Sequence, residues 1–331
     1  MFASSDDLAL SEVSAGVWQL RLPIPWEDGH VNCFLLPEDG EVDMIDCGMS
    51  SDESLAIIWR AVERLAGPDA RLRRLLVTHI HPDHYGGAGE ITRRAGTDLY
   101  LHRLEVPMVN PRYLEVEQLV EEVGRYLLIH GVPEEEAEFL KNASTWIREF
   151  VKPADPALQL DGTEMLQMGT RRLRVEWTPG HSPGHVCLFD ATDGLLFAGD
   201  QLLPDSSPNI GLHPQSTPNP LDDYLGGLRR IEQLSPSLVL PSHGQPFSAV
   251  SERVGYLVDH HRRRKEQMLS VLAGGEMNGW EVAVAVWGLR PNLHEMRMAL
   301  QEGLAHLQSL SREGRLEKQA SPSAITWWRP K

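Results

Sequence analysis

Ten consecutive residues hold the side chains best suited to chemistry. Residues 78–87 read Thr-His-Ile-His-Pro-Asp-His-Tyr-Gly-Gly, which places His79, His81, Asp83 and His84 within six positions. Imidazole nitrogens and carboxylate oxygens are common ligands of divalent metals. A lone histidine is usually an ordinary loop residue, but neutral imidazoles crowded this closely gain little from one another unless a cation organises them. The segment therefore predicts a metal site.

The flanking elements indicate how this cluster is positioned. Residues 74–78 form an apolar run typical of a buried strand, and residues 86–94 predict a turn that leads into a helix. Strand-to-helix turns at the end of a sheet are a usual place for ligands. His79 and His81, two apart on an extended chain, point the same way. Asp83 and His84 follow the turn and can face a second position, so one loop can supply half of a two-metal site.

Four further strand ends carry a histidine or an aspartate. The apolar segments 42–45, 172–177, 195–199 and 238–241 lead to Asp46, His181, Asp200 and His243 respectively. Each of these alone is a weak signal, because polar residues are common at strand ends in α/β proteins. Five such ends in one chain predict that histidines and aspartates meet at one edge of the fold.

The order Asp, His-x-His-x-Asp-His, His, Asp, His resembles the metallo-β-lactamase superfamily, and more closely its hydroxyacylglutathione-hydrolase-like branch. The resemblance implies an α/β fold, a four-layer αβ/βα sandwich with a dinuclear metal site at one edge. It also implies a role for each ligand. The first metal would be held by His79, His81 and His181 and the second by Asp83, His84 and His243, while Asp200 bridges both and Asp46 orients a ligand through a hydrogen bond.

This ligand set predicts hydrolysis. Two divalent ions that share a bridging water lower its pKa from about 15.7 to near neutrality, and the resulting hydroxide attacks an ester, thioester, lactone or phosphodiester. Asp83 and Asp200 would then be catalytic carboxylates as well as ligands. Zinc suits the nitrogen and oxygen ligands best, and iron or manganese also fit. We expect a metal-dependent hydrolase of a small-molecule ester or thioester.

Three other side chains near the motifs are candidate substrate contacts. Tyr85 follows His84, and His185 lies four residues beyond His181. His213 lies in segment 204–220, which is rich in Pro, Ser and Asn and follows Asp200; long loops at strand ends commonly shape pockets. The alternatives are that Tyr85 packs over the following helix and that His185 is a buried residue at a strand start.

Length and composition fit an enzyme of the cytoplasm. The chain has 331 residues, enough for a large core and more than one domain. Its cysteines, Cys33, Cys47 and Cys187, are odd in number and widely spaced, which indicates no disulfide framework and favours a reducing compartment. Residues 1–7 are acidic, unlike a signal peptide, and no apolar run approaches the roughly 20 residues of a membrane span. The net charge of −16 disfavours broad affinity for nucleic acids.

A helical insertion at about 104–150 interrupts the predicted hydrolase domain, residues 1–254. Residues 105–150 contain ten glutamates, no aspartate and four Lys or Arg. Pro133 followed by three glutamates predicts a helix start, because negative charge favours the amino end of a helix. We interpret the insertion as a lid or one wall of a substrate pocket; a dimer contact or plain elaboration is the alternative.

Residues 255–331 form the second predicted domain. Helices predicted over 256–272, 280–287 and 293–312 precede two short strand-like segments, which is the order of a winged helix. This also resembles the C-terminal module of bacterial relatives of the mammalian β-lactamase-like protein 2. The region contains eleven Lys or Arg and eight Asp or Glu, so it is only mildly basic. Binding to a phosphate backbone usually needs more positive charge than this. The run at 262–265 could attract an anionic thioester or RNA, or be a solvated helix face.

Other functions stay open at this level. A metal-dependent endoribonuclease is the second candidate, which would make RNA a partner. An iron-bearing oxidoreductase and a metal-binding module without turnover are candidates of other classes. The C-terminal region could also cover the hydrolase or form a homodimer.

Overall fold

The computed structural model describes residues 9–25 and 29–329. The acidic segment 1–7, in which we predicted no signal peptide, lies outside the described residues. None of the described helices combines the length and the hydropathy needed to cross a bilayer.

The first of two stacked sheets has seven strands. They are β1 (Leu10–Ser14), β2 (Val17–Pro23), β3 (His30–Glu38), β4 (Glu41–Ile45), β5 (Arg71–Leu76), β6 (Asp98–His102) and β7 (Leu158–Leu160), and they lie in this order across the sheet. Strands β1 to β4 pair antiparallel, while β4 to β7 pair parallel. The carboxyl ends of β4 and β5 therefore lie at the same edge.

The second sheet has five strands. They are β8 (Met165–Met168), β9 (Arg171–Trp177), β10 (Val186–Asp190), β11 (Leu195–Gly199) and β12 (Leu238–Pro241), with neighbours in chain order. Strands β8 to β11 pair antiparallel and β11 pairs parallel with β12. Because β9, β11 and β12 run in the same direction, their carboxyl ends also meet at one edge.

Ten α-helices accompany these sheets within the described residues. They are α1 (Asp52–Ala66), α2 (Pro82–Tyr85), α3 (Ala88–Ala95), α4 (Val106–Tyr113), α5 (Glu117–Ile129), α6 (Glu134–Lys141), α7 (Pro220–Leu234), α8 (Val250–Val271), α9 (Gly279–Trp287) and α10 (Leu293–Arg312). Side-chain caps explain several of their starts: Ser51 accepts from the Ser54 N–H before α1, and Asn292 caps α10. A small third sheet contains β13 (Met277–Asn278), β14 (Glu317–Ala320) and β15 (Ile325–Trp328), in the order β13-β15-β14.

Apolar side chains hold the layers together. Phe34 and Leu76 of the first sheet meet Val186 and Phe197 of the second in one buried cluster. Helices α1 and α3 cover the outer face of the first sheet, and α7 and α8 cover that of the second. Burying each large apolar side chain stabilises the fold by about 1.5–3 kcal/mol. The predicted α/β architecture of four layers, helix–sheet–sheet–helix, is confirmed.

The helical insertion and the C-terminal region share a hydrophobic core. Leu127 of α5 and Leu140 of α6 lie in the same buried cluster as Leu300 and Leu304 of α10 and Trp327 of β15. The position where we divided the chain, between residues 254 and 255, falls inside the continuous helix α8. The insertion therefore packs against the C-terminal helices next to the predicted metal edge.

A buried histidine pair joins α8 to α10. The His306 Nδ1 donates to the Glu302 carbonyl at 2.8 Å, and its Nε2 lies 3.1 Å from the His261 Nδ1. Burial, together with the neighbouring cations, lowers the pKa of His261 to about 2 and that of His306 to about 3. Both rings are therefore neutral in the folded protein at physiological pH.

This pair predicts that stability falls in mild acid. The pKa values lie below the ordinary value of 6.5, so the unfolded chain binds more protons below that pH. The stabilisation is complete above about pH 6.5 and is lost as the pH falls. We expect the free energy of unfolding to drop by up to about 1.4 kcal/mol per pH unit for each histidine, measured by denaturant titration. His306→Gln should reduce this slope while His260→Gln changes it less; equal slopes in all three proteins would contradict the prediction.

Candidate metal centre

Five strand ends bring the predicted residues to one edge of the sandwich. Asp46 follows β4, residues 79–84 follow β5, His181 follows β9, Asp200 follows β11 and His243 follows β12. Their ligand atoms form two groups, His79, His81, His181 and Asp200 in one and Asp83, His84 and His243 in the other, and within each group all atoms lie within 4.8 Å of one another. The two groups match the two ligand sets that the sequence predicted.

Three imidazoles converge in the first group. The His81 Nδ1 lies 2.9 Å from the His79 Nε2 and 2.9 Å from the His181 Nε2. The outer nitrogen of His181, Nδ1, donates to the Asn209 carbonyl at 3.0 Å. That bond leaves the Nε2 lone pair facing the other two rings, as a metal ligand requires.

The second group pairs one carboxylate with two imidazoles. The Asp83 Oδ2 lies 3.2 Å from the His243 Nε2 and 3.5 Å from the His84 Nε2. The His243 Nδ1 donates to the His30 carbonyl at 3.2 Å. The His243 Nε2 therefore points inward, toward Asp83 and Asp200.

Asp200 stands between the two groups. Its Oδ2 lies 3.2 Å from the His181 Nε2, while its Oδ1 lies 3.6 Å from the Nε2 atoms of both His84 and His243. Ser242 donates from its hydroxyl to the Oδ1. One carboxylate thus offers an oxygen to each group, which is the geometry of a bridging ligand.

A divalent cation fits this set of donors. The His84 Nε2 is fully buried and has no hydrogen-bond partner, although buried polar atoms are normally satisfied. Neutral nitrogens and carboxylate oxygens that point at common positions are satisfied by transition metals. The residues present therefore suit a metal at each group, and the nitrogen-oxygen chemistry suits zinc, iron or manganese.

The chain is similar to known proteins both in sequence and in fold. Residues 26–243 match the family model described as Metallo-beta-lactamase superfamily. The chain belongs to the metallo-beta-lactamase superfamily. The crystal structure of the metallo-beta-lactamase family protein TTHA1429 from Thermus thermophilus superimposes with a TM-score of 0.81 at 33% identity, covering 96% of this chain and 100% of that one.

Two curated relatives in this superfamily carry functional names. The probable metallo-hydrolase YqjP of Bacillus subtilis is 27% identical over 89% of this chain and 92% of its own length. The human acyl-coenzyme A thioesterase MBLAC2 is 28% identical over 68% of this chain and 77% of its own length. The metallo-hydrolase relatives and the clustered ligands together indicate a metal-dependent hydrolase.

The histidines of this candidate metal centre differ in their pKa values. Burial, and then the neighbouring histidines, lower the pKa of His79 and His81 well below the ordinary value, so both rings are neutral. Burial also lowers the pKa of His243, but Asp200 and Asp83 outweigh it and raise it to about 9. A divalent cation would meet the same negative charge that retains this proton, so metal and protons compete there.

Asp46 orients His84, as the resemblance implies. Its Oδ2 accepts from the His84 Nδ1 at 2.8 Å, and its two oxygens accept from the Thr78 N–H at 2.7 Å and the Thr78 hydroxyl at 2.9 Å. Asp46 adopts a positive φ of 57°, a conformation that costs about 1 kcal/mol or more for a residue with a side chain. The surrounding hydrogen bonds hold it there, and they present the Nε2 of His84 to the second group.

Two of the three candidate substrate contacts lie beneath the site. The His185 Nε2 accepts from the Asp200 N–H at 3.0 Å and its Nδ1 bonds the Thr178 hydroxyl at 2.8 Å, in a fully buried ring. The Tyr85 hydroxyl both donates to the Ala154 carbonyl and accepts from the Ala154 N–H, each at 2.9 Å. The packing alternatives describe both residues better, and His185 also positions Asp200. Gly199, which directly precedes Asp200, has a positive φ, and a Cβ at this position would lie 2.6 Å from the Nε2 of the His185 ring.

His213 lies nearer the open part of the site. The ring is partly buried, and its Nδ1 accepts from the Gln215 N–H at 3.2 Å. It remains a candidate substrate contact.

Glu105 is a site residue that the sequence did not single out. Its Oε2 accepts from the Ile80 N–H at 2.9 Å, and its Oε1 accepts from the Gly184 N–H at 2.6 Å and from the Ser182 hydroxyl. Burial raises its pKa, and these donors partly offset that effect. This carboxylate ties the loop that carries the first two histidine ligands to the loop that carries the third. It is fully buried, while the other nine glutamates of 105–150 are exposed or partly exposed; no local sequence pattern separates it from them.

Proposed function

We propose that the protein is a dinuclear zinc hydrolase of a small-molecule thioester or ester in the cytoplasm. The observation that carries the proposal is the Asp200 carboxylate, with one oxygen 3.2 Å from a ligand atom of the first group and the other 3.6 Å from two ligand atoms of the second. A carboxylate in this position suits two metals better than one. Three free, buried cysteines among the described residues agree with a reducing compartment.

The names of relatives favour thioesters over other acyl compounds. The human relative is named an acyl-coenzyme A thioesterase. A shorter match, 25% identical over 46% of this chain and 49% of its own length, is named atrochrysone carboxyl ACP thioesterase, from Aspergillus fumigatus. Both names describe cleavage of a thioester, and we extend that substrate class to this chain.

The protein's part in the reaction is to hold and orient groups. When bound, the two cations would supply an activated water at neutral pH and a Lewis acid for the carbonyl oxygen. Asp46 keeps the proton on the His84 Nδ1, so that the Nε2 is free to act as a ligand. His185 and Ser242 hold the backbone and side chain of Asp200. Glu105 accepts hydrogen bonds from both histidine-bearing loops and so fixes their relative position.

Metal analysis coupled to a substrate panel tests the proposal. We expect the purified protein to contain about two zinc ions and to hydrolyse acyl thioesters faster than esters, lactones or RNA. His84→Ala should lose one metal and about a hundredfold or more of the activity, because the second group loses one of three ligands. His260→Ala, on α8, is the matched control and should retain both. One metal per chain, or RNA cleavage in place of thioester hydrolysis, would overturn the proposal.

A further inference from the structure

The loop after β11 is fastened to both a metal ligand and α10. The Asn209 carbonyl accepts from the His181 Nδ1 at 3.0 Å, while the Asn209 side-chain amide donates to the Met298 carbonyl at 3.4 Å. Arg297 directly precedes Met298 in the chain. Helix α10 of the C-terminal region therefore lies against the loop that bonds to His181.

The helical insertion reaches the same loop from another side. The Arg112 Nε donates to the Gln215 Oε1 at 3.0 Å. Its neighbour Tyr113 donates from the hydroxyl to the Ile80 carbonyl at 2.5 Å, between the first two histidine ligands. Arg112 is thus held between the loop after β11 and the first ligand group.

Among the described residues, neither the Arg112 nor the Arg297 guanidinium group has a carboxylate ion-pair partner. Arg297 bonds the Leu140 carbonyl at 3.5 Å and the Ser144 hydroxyl, while its Nε is buried with no hydrogen-bond partner. Within 9–25 and 29–329, neither Arg112 nor Arg297 forms an ion pair; their bonds go to neutral oxygens. Burial, and then the Arg112 charge, lower the pKa of Arg297 to about 10. Adjacent cations of this kind are stabilised by an anion.

His213 is the third residue that we consider together with Arg112 and Arg297. Burial lowers the pKa of His213 to about 3, and the charges of Arg112, Arg297 and His181 add to that effect. The preceding residue, Leu212, donates from its N–H to the Gln301 carbonyl at 2.9 Å, one turn of α10 after Arg297. Its Nδ1 accepts from the Gln215 N–H. The proton of the neutral ring is therefore on Nε2, which can donate to an anion.

We propose that Arg112, Arg297 and His213 bind an anionic group of the substrate, a carboxylate or a phosphate, close to the bond that is hydrolysed. The site combines the insertion, the loop after β11 and the C-terminal region, three parts that a minimal hydrolase would not need. It rests on the proposed function for the kind of bond cleaved, but the anion binding itself does not depend on that function. The planar guanidinium group can donate two parallel N–H bonds to two oxygens of either a carboxylate or a phosphate.

The surroundings favour one small anion over a polyanion. A cavity of about 630 Å³ next to Arg112 is lined by Gln215 and by Glu115, Glu117 and Glu122. Negative charge on the Arg112 side of the site repels further phosphates, whereas nucleic-acid binding needs many cations. The site therefore suits an acyl group with a terminal carboxylate, or a single phosphate, better than RNA.

Binding of simple anions gives the first test. Calorimetric titration of the metal-loaded protein with succinate and, separately, with inorganic phosphate shows which of the two anions the site prefers. Arg112→Gln should weaken binding of the preferred anion about tenfold at unchanged metal content, whereas Arg112→Lys should lose less. Arg125→Gln removes an exposed arginine of the same insertion and should leave binding unchanged. Equal affinity in the wild type and Arg112→Gln would overturn the proposal.

Turnover gives the second test. Succinyl and butyryl thioesters of N-acetylcysteamine differ in the terminal carboxylate and carry no phosphate. We expect the ratio of their kcat/KM values to fall about tenfold in Arg112→Gln and in Arg297→Lys, and to keep its wild-type value in the control Arg125→Gln. An unchanged ratio in both variants counts against the site. If no thioester is cleaved by the wild type, the proposed function fails, while the titrations still decide whether the anion site exists.

Discussion

Asp200→Asn should lower kcat/KM by about a thousandfold or more. Asparagine keeps the shape of the side chain but removes the charge and one of the two anionic oxygens that span the ligand groups. Charge stabilisation by bound metals contributes several kcal/mol to such reactions, and each 1.36 kcal/mol is a factor of ten in rate. The metal content should fall with the activity, from about two equivalents toward one or fewer, measured by mass spectrometry of the purified protein.

The matched control for this substitution is Asp69→Asn. Asp69 is exposed and lies between α1 and β5, so its replacement removes the same charge away from the ligands. We expect wild-type metal content and rate from it. If Asp200→Asn kept both metals and full activity, Asp200 would not bridge, and the two ligand groups would need another explanation.

Glu105→Gln should lower kcat about 10- to 100-fold. It should also lower the affinity for the metal at the first ligand group by a similar factor, which is the usual effect of losing a group that orients ligands. A carboxylate accepts from all three donors that face it, whereas an amide offers one acceptor oxygen and an NH2 group. The NH2 would face either the Ile80 N–H or the Gly184 N–H, which now donate at 2.9 Å and 2.6 Å. A buried donor left unpaired costs about 1–3 kcal/mol, and the two histidine-bearing loops can move apart to relieve it.

Three measurements separate a positioning role of Glu105 from a general loss of stability. Metal titration should show the first site weakened more than the second, because Glu105 bonds to Ile80, between His79 and His81, and to Ser182 and Gly184, next to His181. Glu105→Asp, which retains the charge, should recover part of the rate. Glu134→Gln, an exposed change in the same insertion, should alter neither. A lower melting temperature with unchanged metal affinity and kcat would show that Glu105 only stabilises the fold.

The insertion and the C-terminal region contribute to the site in a way that their sequences do not reveal. We predicted an acidic lid and a separate winged-helix-like domain. The structure shows that the two regions bury Leu127, Leu140 and Leu300 in one cluster, and that both bond to the loop after β11, through Arg112 and Met298. The negative charge of the insertion mostly faces solvent, while one of its few arginines faces the ligands. Net charge by segment cannot predict this, because the outcome depends on which side of each helix is covered.

The sequence by itself predicted the α/β fold and the histidines and aspartates that we propose as metal ligands. Strands and their end residues are local features: an apolar run ends, and the next polar side chain emerges at the sheet edge, as at Asp200 and His243. Only the tertiary structure decided that Glu105 supports two loops, that His185 lies beneath Asp200, and that Arg112 bonds to the same loop as α10. These roles depend on contacts between residues far apart in the chain, where burial turns an ordinary charged or polar residue into a support for the site. The proposed ligands are specified by short segments, whereas the proposed anion site lies where the insertion, the loop after β11 and the C-terminal helices pack together.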